Sequence, residues 1–254
     1  MDPTTLLLAA LGGTVVGLLL TLFGGGGSVL ATPWLIYVAG VNDTHLAIGT
    51  SAAAVAVNAA IGLLGQARAG RVKWPCAIVF AVAGLTGALI GAHLAKQVDG
   101  HALLMWFALA MIAIAMSMVV PKSSEGDPEV RLDAARVRRL APLGFAAGLA
   151  AGFFGIGGGF LIAPGLMAAA GMTMANAAAS SLVSVALFGT ATSASYAWSG
   201  LVSWPLFAAL VAGGVAGTLI GLPLSRRLSG NPRMARTGFA LMVMAVAGYI
   251  LIAR

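Results

Sequence analysis

Two glycine-rich breaks, Gly24-Gly25-Gly26-Gly27-Ser28 and Gly155-Ile156-Gly157-Gly158-Gly159, interrupt apolar runs that would otherwise read as continuous membrane helices. Each is followed by a short apolar segment with a proline, Pro33 or Pro164, and then by a hydroxyl pair, Thr50-Ser51 or Ser180-Ser181. Backbone N–H groups exposed where a helix begins carry positive partial charge, and hydroxyls can donate beside them, so this combination suits a small anion. The candidate substrate-binding residues are therefore Gly25, Gly26, Gly27, Ser28, Thr50, Ser51 and Asn58 in the first half, with Gly157, Gly158, Gly159, Ser180 and Ser181 in the second. A packing role stands beside each. Ser and Thr also bond their own helix backbone or a neighbouring helix, and Asn58, polar within an apolar span, needs a partner that is either substrate or protein. Consecutive glycines lose about 1 kcal/mol each of helix propensity relative to Ala, more than close packing alone requires. Gly84, Gly87, Gly91, Gly214, Gly217 and Gly221, at spacings of three and four, read instead as helix-packing glycines.

The residues that other chemistries need are missing from the apolar spans. The seven acids are Asp2, Asp43, Asp99, Glu125, Asp127, Glu129 and Asp133, none within a long span, which argues against a cation carrier, a proton relay and an intramembrane enzyme. His45, His93 and His101 have no ligand-spaced companions and Cys76 is the single cysteine, so no metal, cofactor or disulfide is expected. No phosphate-cradling Gly-x-x-x-x-Gly-Lys-Ser/Thr motif occurs, so ATP does not drive the chain.

The elements that must position these residues belong to a membrane. A chain of 254 residues that is 60% hydrophobic and 8% charged, with a mean hydropathy of +1.00, is expected to be an all-α polytopic membrane protein with the lipid bilayer as its partner. The net charge of +7 lies in short clusters between apolar runs, which fits topology signals and not nucleic acid. Apolar runs predict spans over Thr4–Phe23, Leu46–Gly65, Trp74–Leu94 and Ala102–Val120 in the first half. Val29–Ala39 is shorter and reads as a steep partial span or one arm of a re-entrant hairpin. Asn42–His45 and Gln66–Lys73 read as loops, and Trp74 and Trp204 as interface anchors. The N-terminus has no Lys or Arg before its apolar stretch, so no cleavable signal peptide is expected. This gives a first membrane repeat over 1–121, a cytoplasmic linker over 122–139 with Ala134–Arg139 as a short surface helix, and a second membrane repeat over 140–254.

The second half copies the first. Gly17, Phe23, Gly24, Gly26, Gly27 and Pro33 match Gly148, Phe154, Gly155, Gly157, Gly158 and Pro164 at a constant separation of 131. After a one-residue slip the match continues at 130 through Ser51 and Ser181, Gly70-x-Val72-x-Trp74-Pro75 and Gly200-x-Val202-x-Trp204-Pro205, and the packing glycines. The basic loops alternate between halves. Arg68, Arg71 and Lys73 have no basic counterpart in Tyr196–Ser203, whereas the near-neutral Ala95–His101 corresponds to Ser225–Arg236 with Arg226, Arg227, Arg233 and Arg236. If basic loops face the cytoplasm, the repeats are inverted, with five membrane segments each, ten in all, both termini outside and glycine-broken short helices at the centre.

The duplicated Phe-Gly-x-Gly-Gly break and proline, the Gly-Thr-Ser or Ala-Ser-Ser step and the Gly-x-Val-x-Trp-Pro motif resemble the TauE/SafE family of sulfite and organosulfonate exporters over nearly the whole chain. The resemblance implies a multi-pass protein of the bacterial inner membrane that exports a small sulfur-containing anion, such as sulfite or sulfoacetate, by alternating access. Carriage or channelling of another small anion or metabolite, and a non-transporting assembly subunit, are the alternative functions, and a homo-oligomer stays open. Ile156 within the second break and Gly159 in place of Ser28 depart from the first repeat and make the half-sites chemically unequal. Arg68 or Arg71 could steer anions toward a cytoplasmic entrance.

Overall fold

A computed structural model describes residues 2–119, 126–155, 159–228 and 232–252. Among them the chain is helical, with no strand beyond one isolated bridge, Asp127 to Met172. The first half runs α1 (Pro3–Phe23), a 3-10 segment (Gly24–Leu30), α2 (Ala31–Tyr37), α3 (Thr44–Arg68), α4 (Trp74–Ala95) and α5 (Gly100–Val119). The second runs α6 (Ala134–Phe154), α7 (Gly159–Ala170), α8 (Met174–Trp198), α9 (Trp204–Leu228) and α10 (Pro232–Ile252). Five described stretches are long and apolar enough to cross a membrane: Pro3–Val38, Thr44–Arg68, Trp74–Ala95, Met174–Trp198 and Trp204–Ser225. Gly100–Ala113, Leu161–Ala170 and Ala240–Ile250 are shorter apolar helices. The chain is an all-α multi-pass membrane protein.

Several boundaries differ from the sequence expectation, each for a local reason. The Asp43 carboxylate accepts the N–H groups of His45 and Leu46, so α3 begins inside the expected turn. At its other end Gln66 is buried and hydrogen-bonded, which carries α3 through to Arg68. Ala134–Arg139 is not a separate surface helix. Asp133 caps Arg136 and pairs with its guanidinium at 3.0 Å, and the helix started there continues unbroken to Phe154. Gly24 and Gly155, at φ 64° and 66°, end α1 and α6 at equivalent places, in the left-handed region that a side chain would strain.

Close glycine seams fix how the helices run. Gly13 of α1 lies on Leu210 of α9 and Gly17 on Gly214, so these helices run in the same direction. Gly49, Asn58 and Gly65 of α3 meet Leu201, Gly214 and Leu222 in turn, which aligns α3 with them. A second set runs together as well: Gly144, Gly148 and Gly152 of α6 lie on Phe80, Gly84 and Ala88 of α4, and Gly84 meets Phe188 of α8. Between the sets the order reverses. Gly49 packs on Tyr196, Gly189 on Ala52 and Ala56, and Gly62 on Leu182, so α3 and α8 cross antiparallel at the centre. Thus α1, α3 and α9 point one way, and α6, α8 and α4 the other.

The broken segment doubles back on α1. Gly27 sits against Leu20, while the Trp34 indole donates to the Leu8 carbonyl at 2.8 Å, so α2 ends where α1 began. In the second half, Arg136 in the first turn of α6 donates to the Ala170 carbonyl at the end of α7, making a similar hairpin. Arg68, Arg71 and Lys73 share one end of the bundle with Arg136, Arg138 and Arg139 at the start of α6. The outer surface is apolar, with Ile78, Val82, Trp106, Leu219 and Ile220 about half exposed or more, as lipid-facing positions require. Trp74 is exposed at the basic end, and Trp198 and Trp204 at the other.

Candidate functional site

The two breaks touch. Gly25 lies against Gly159 so closely that a Cβ on either would strike the other's backbone, and Val185 of α8 closes the remaining side of Gly25. Buried hydroxyls of four elements serve the first break and the α2 segment that follows it. The Ser181 hydroxyl of α8 accepts the Gly25 N–H at 2.9 Å and donates to the Ala178 carbonyl at 2.8 Å. Ser51 of α3 donates to the Ile48 carbonyl at 3.0 Å and lies 2.6 Å from the Thr32 hydroxyl of α2. The Ser28 hydroxyl folds back to the Gly25 carbonyl at 2.8 Å and braces the 3-10 turn. All of these groups are buried, as are Gly26 and Gly27. Gly157 and Gly158 lie outside the described residues. Gly159 opens α7, placing the start of that helix, whose first N–H groups have no carbonyl partner within it, at the crossing.

Thr50 and Ser180 are placed differently from their neighbours. The Thr50 hydroxyl accepts the backbone N–H of Ser203 just before α9, and the Ser180 hydroxyl accepts that of Lys73 just before α4, both at 2.9 Å. Each therefore ties the start of a helix in the opposite half. Replacing Thr50 with valine is expected to destabilise the protein by about 1–3 kcal/mol, since the bond it removes is buried, and replacing Ser180 with alanine by less, since the Lys73 N–H is only part-buried; both are read by thermal unfolding. An unchanged midpoint in both variants would show that these hydroxyls are not holding the helix starts.

Asn58 stands apart from the break. Its amide nitrogen reaches the Leu210 carbonyl at 3.4 Å, its side chain fills the space over Gly214, and its Oδ1 has no hydrogen-bond partner although the residue is 1% exposed. The second half puts Phe188 at the equivalent position, over Gly84. Two polar groups near the break were not among the sequence candidates. Thr32 was discoverable as a lone hydroxyl beside Pro33 where the repeat has Ala163. Gln66 was hidden because it reads as the first residue of a polar loop, yet it is buried against α1.

The site so built is uncharged, lined by hydroxyls and peptide groups. Among the described residues no cluster of three or more His, Cys, Asp or Glu could hold a metal ion. Residues 9–250 match the model of the sulfite exporter TauE/SafE family. The chain belongs to the TauE/SafE family. Within it, the chain is similar to a probable membrane transporter protein of Xylella fastidiosa, 41% identical over 94% of this chain and 92% of that one. It is also similar to the probable membrane transporter proteins YunE, 26% identical over 85% and 87%, and YdhB, 22% identical over 94% and 96%, both of Bacillus subtilis. TauE/SafE membership and these relatives make the chain a membrane transporter.

Proposed function

We propose that the chain exports a small sulfur-containing anion, sulfite or an organosulfonate such as sulfoacetate, across the bacterial inner membrane, by alternating access between two inverted halves. The observation that carries this reading is the meeting of both glycine breaks at Gly25 and Gly159, with the buried Ser181 hydroxyl on Gly25, the Thr32 and Ser51 hydroxyls paired on the elements that follow, and no carboxylate in the spans around them. An oxyanion arriving there can take the Gly25 N–H, now given to Ser181, and the hydroxyl protons of Ser181 and Ser51, now given to the Ala178 and Ile48 carbonyls. A cation would find no countercharge.

The inverted arrangement has its own support. Each sequence-equivalent pair, α1 with α6, α3 with α8 and α4 with α9, runs in opposite directions, and exchanging the halves preserves the α1–α9 and α4–α6 seams. The basic end, with Arg68, Arg71, Lys73, Arg138 and Arg139, then faces the cytoplasm. An inside-negative potential favours anion exit by about 2.3 kcal/mol per charge per 100 mV, so export needs no fuel from the chain itself.

Thermal unfolding of the purified protein against sulfite, sulfoacetate, taurine, sulfate, simple carboxylates and simple cations tests the substrate class. Saturating sulfite or sulfoacetate is expected to stabilise by about 2.7 kcal/mol at a hundredfold excess over Kd. Stabilisation by cations alone, or by no member of the panel, would sink the anion reading.

A further inference from the structure

The break in α1 is a severed helical hydrogen bond. In a continuous helix the Gly25 N–H would donate to the Thr21 carbonyl, four residues back. Here the donor and acceptor have parted: Gly25 N–H goes to Ser181 of α8, and the Thr21 carbonyl accepts from Gln66 Nε2 of α3 at 3.1 Å. Gln66 is itself held. Arg71 Nη1 donates to its Oε1 at 3.3 Å, so a chain of polar contacts leads from the basic loop, through Gln66, to the last turn of α1. The Arg71 guanidinium makes no ion pair with a described residue and spends its charge on a neutral amide.

The other half shows what this chain of contacts adds. Tyr196 and Leu201 are the counterparts of Gln66 and Arg71 at a separation of 130, and the backbone is the same in both places: Arg71 N–H donates to the Gln66 carbonyl at 3.2 Å and Leu201 N–H to the Tyr196 carbonyl at 2.9 Å. Only the side chains differ. Tyr196 is fully buried, its hydroxyl has no partner, and its ring packs in the cluster of Ile48, Ala92, Ala95 and Leu103. The His45 ring stacks on it at 6.3 Å, and Lys96 Nζ lies 5.9 Å from its centroid while donating to the Ser195 carbonyl and the Ser199 hydroxyl. One end of the α3–α8 crossing is thus closed by a polar contact that a charge can undo, and the other by an apolar plug.

Resting on the anion-export reading above, we propose that Gln66 holds the broken end of α1 in place from the cytoplasmic side and that an incoming oxyanion frees it by drawing Arg71 away from Gln66. A guanidinium bonds an oxyanion more strongly than a neutral amide carbonyl, so the anion wins the exchange. Gln66, freed from Arg71, then releases the Thr21 carbonyl, and the broken end of α1 loosens at the moment substrate is at the mouth. Arg71 is the recruiting residue, Gln66 the positioning residue that couples it to the site.

Hydrogen–deuterium exchange on the full chain in detergent reads this hold directly through a peptide covering residues 19–30, with a peptide over residues 134–154 as the check on global folding. Q66L keeps side-chain volume but loses both bonds, and is expected to speed exchange in 19–30 at least tenfold with 134–154 unchanged. In the native protein sulfoacetate is expected to speed the same peptide several-fold; R71Q should lose that response and R71K recover part of it. Should Q66L not fold, the R71Q and R71K pair still decides the matter. Equal exchange in Q66L and the native protein, or a full sulfoacetate response in R71Q, overturns the proposal. An α1 end that loosens in Q66L while the native protein ignores sulfoacetate, sulfite and sulfate keeps Gln66 as the residue that holds it and overturns the anion reading.

Discussion

Gly25→Val is expected to reduce sulfite flux in proteoliposomes at least a hundredfold while the protein still folds. The new side chain would meet Val185 on one side and the Gly159 backbone on the other, so the two breaks must move apart and the Gly25 N–H must leave Ser181. A stability loss of about 1–3 kcal/mol, the usual cost of overpacking, is therefore expected from thermal unfolding. Adding Val185→Ala removes the side-chain half of the clash and leaves the backbone half. Full recovery of flux in that double variant would mean that the contact of Gly25 with Gly159 is not what transport needs. Gly62→Ala is the matched control: its Cβ would meet nothing nearer than Leu182 Cδ1 at 3.6 Å, and helix propensity favours it by about 1 kcal/mol.

Gly148→Leu is expected to fail earlier, at folding. A Cβ at Gly148 would enter the Gly84 carbonyl, and a Cβ at Gly152 would do the same to Ala88, so α6 and α4 touch backbone to backbone along a whole face. Neither helix can retreat alone without opening that seam. Loss of the monodisperse folded species on size exclusion, with little protein surviving solubilisation, is the expected result. A folded Gly148→Leu protein with native melting behaviour would refute the seam as the main contact between the halves. The two substitutions look alike in sequence, a bulky residue for a glycine in an apolar run, and differ in what the glycine touches.

Much of the architecture was legible in the chain itself. The class followed from composition, because 8% charged residues cannot cover a water-exposed surface of this size. The breaks were legible because glycine runs weaken a helix wherever they stand, and the structure ends α1 and α6 at Gly24 and Gly155. Gly84, Gly87, Gly91, Gly214, Gly217 and Gly221 were readable as packing glycines from spacing alone, and each faces a neighbouring helix or a side chain laid into its groove. Even the extent of α3 was nearly readable, short only of the Asp43 cap and the buried Gln66.

What each hydroxyl bonds to could not be read in this way. Thr50 and Ser51 are adjacent in sequence, yet one receives Ser203 N–H and the other faces Thr32, because neighbouring helix residues point about 100° apart and meet different elements. Ser180 and Ser181 divide in the same manner between Lys73 and Gly25. The sequence by itself determined the class, the repeat and the two places where helices break, since composition, periodicity and propensity are local properties. Only the tertiary structure decided that the breaks meet, which hydroxyls serve them, and that Gln66 holds a carbonyl 45 residues away, because those contacts depend on the direction and rotation of helices packed against one another.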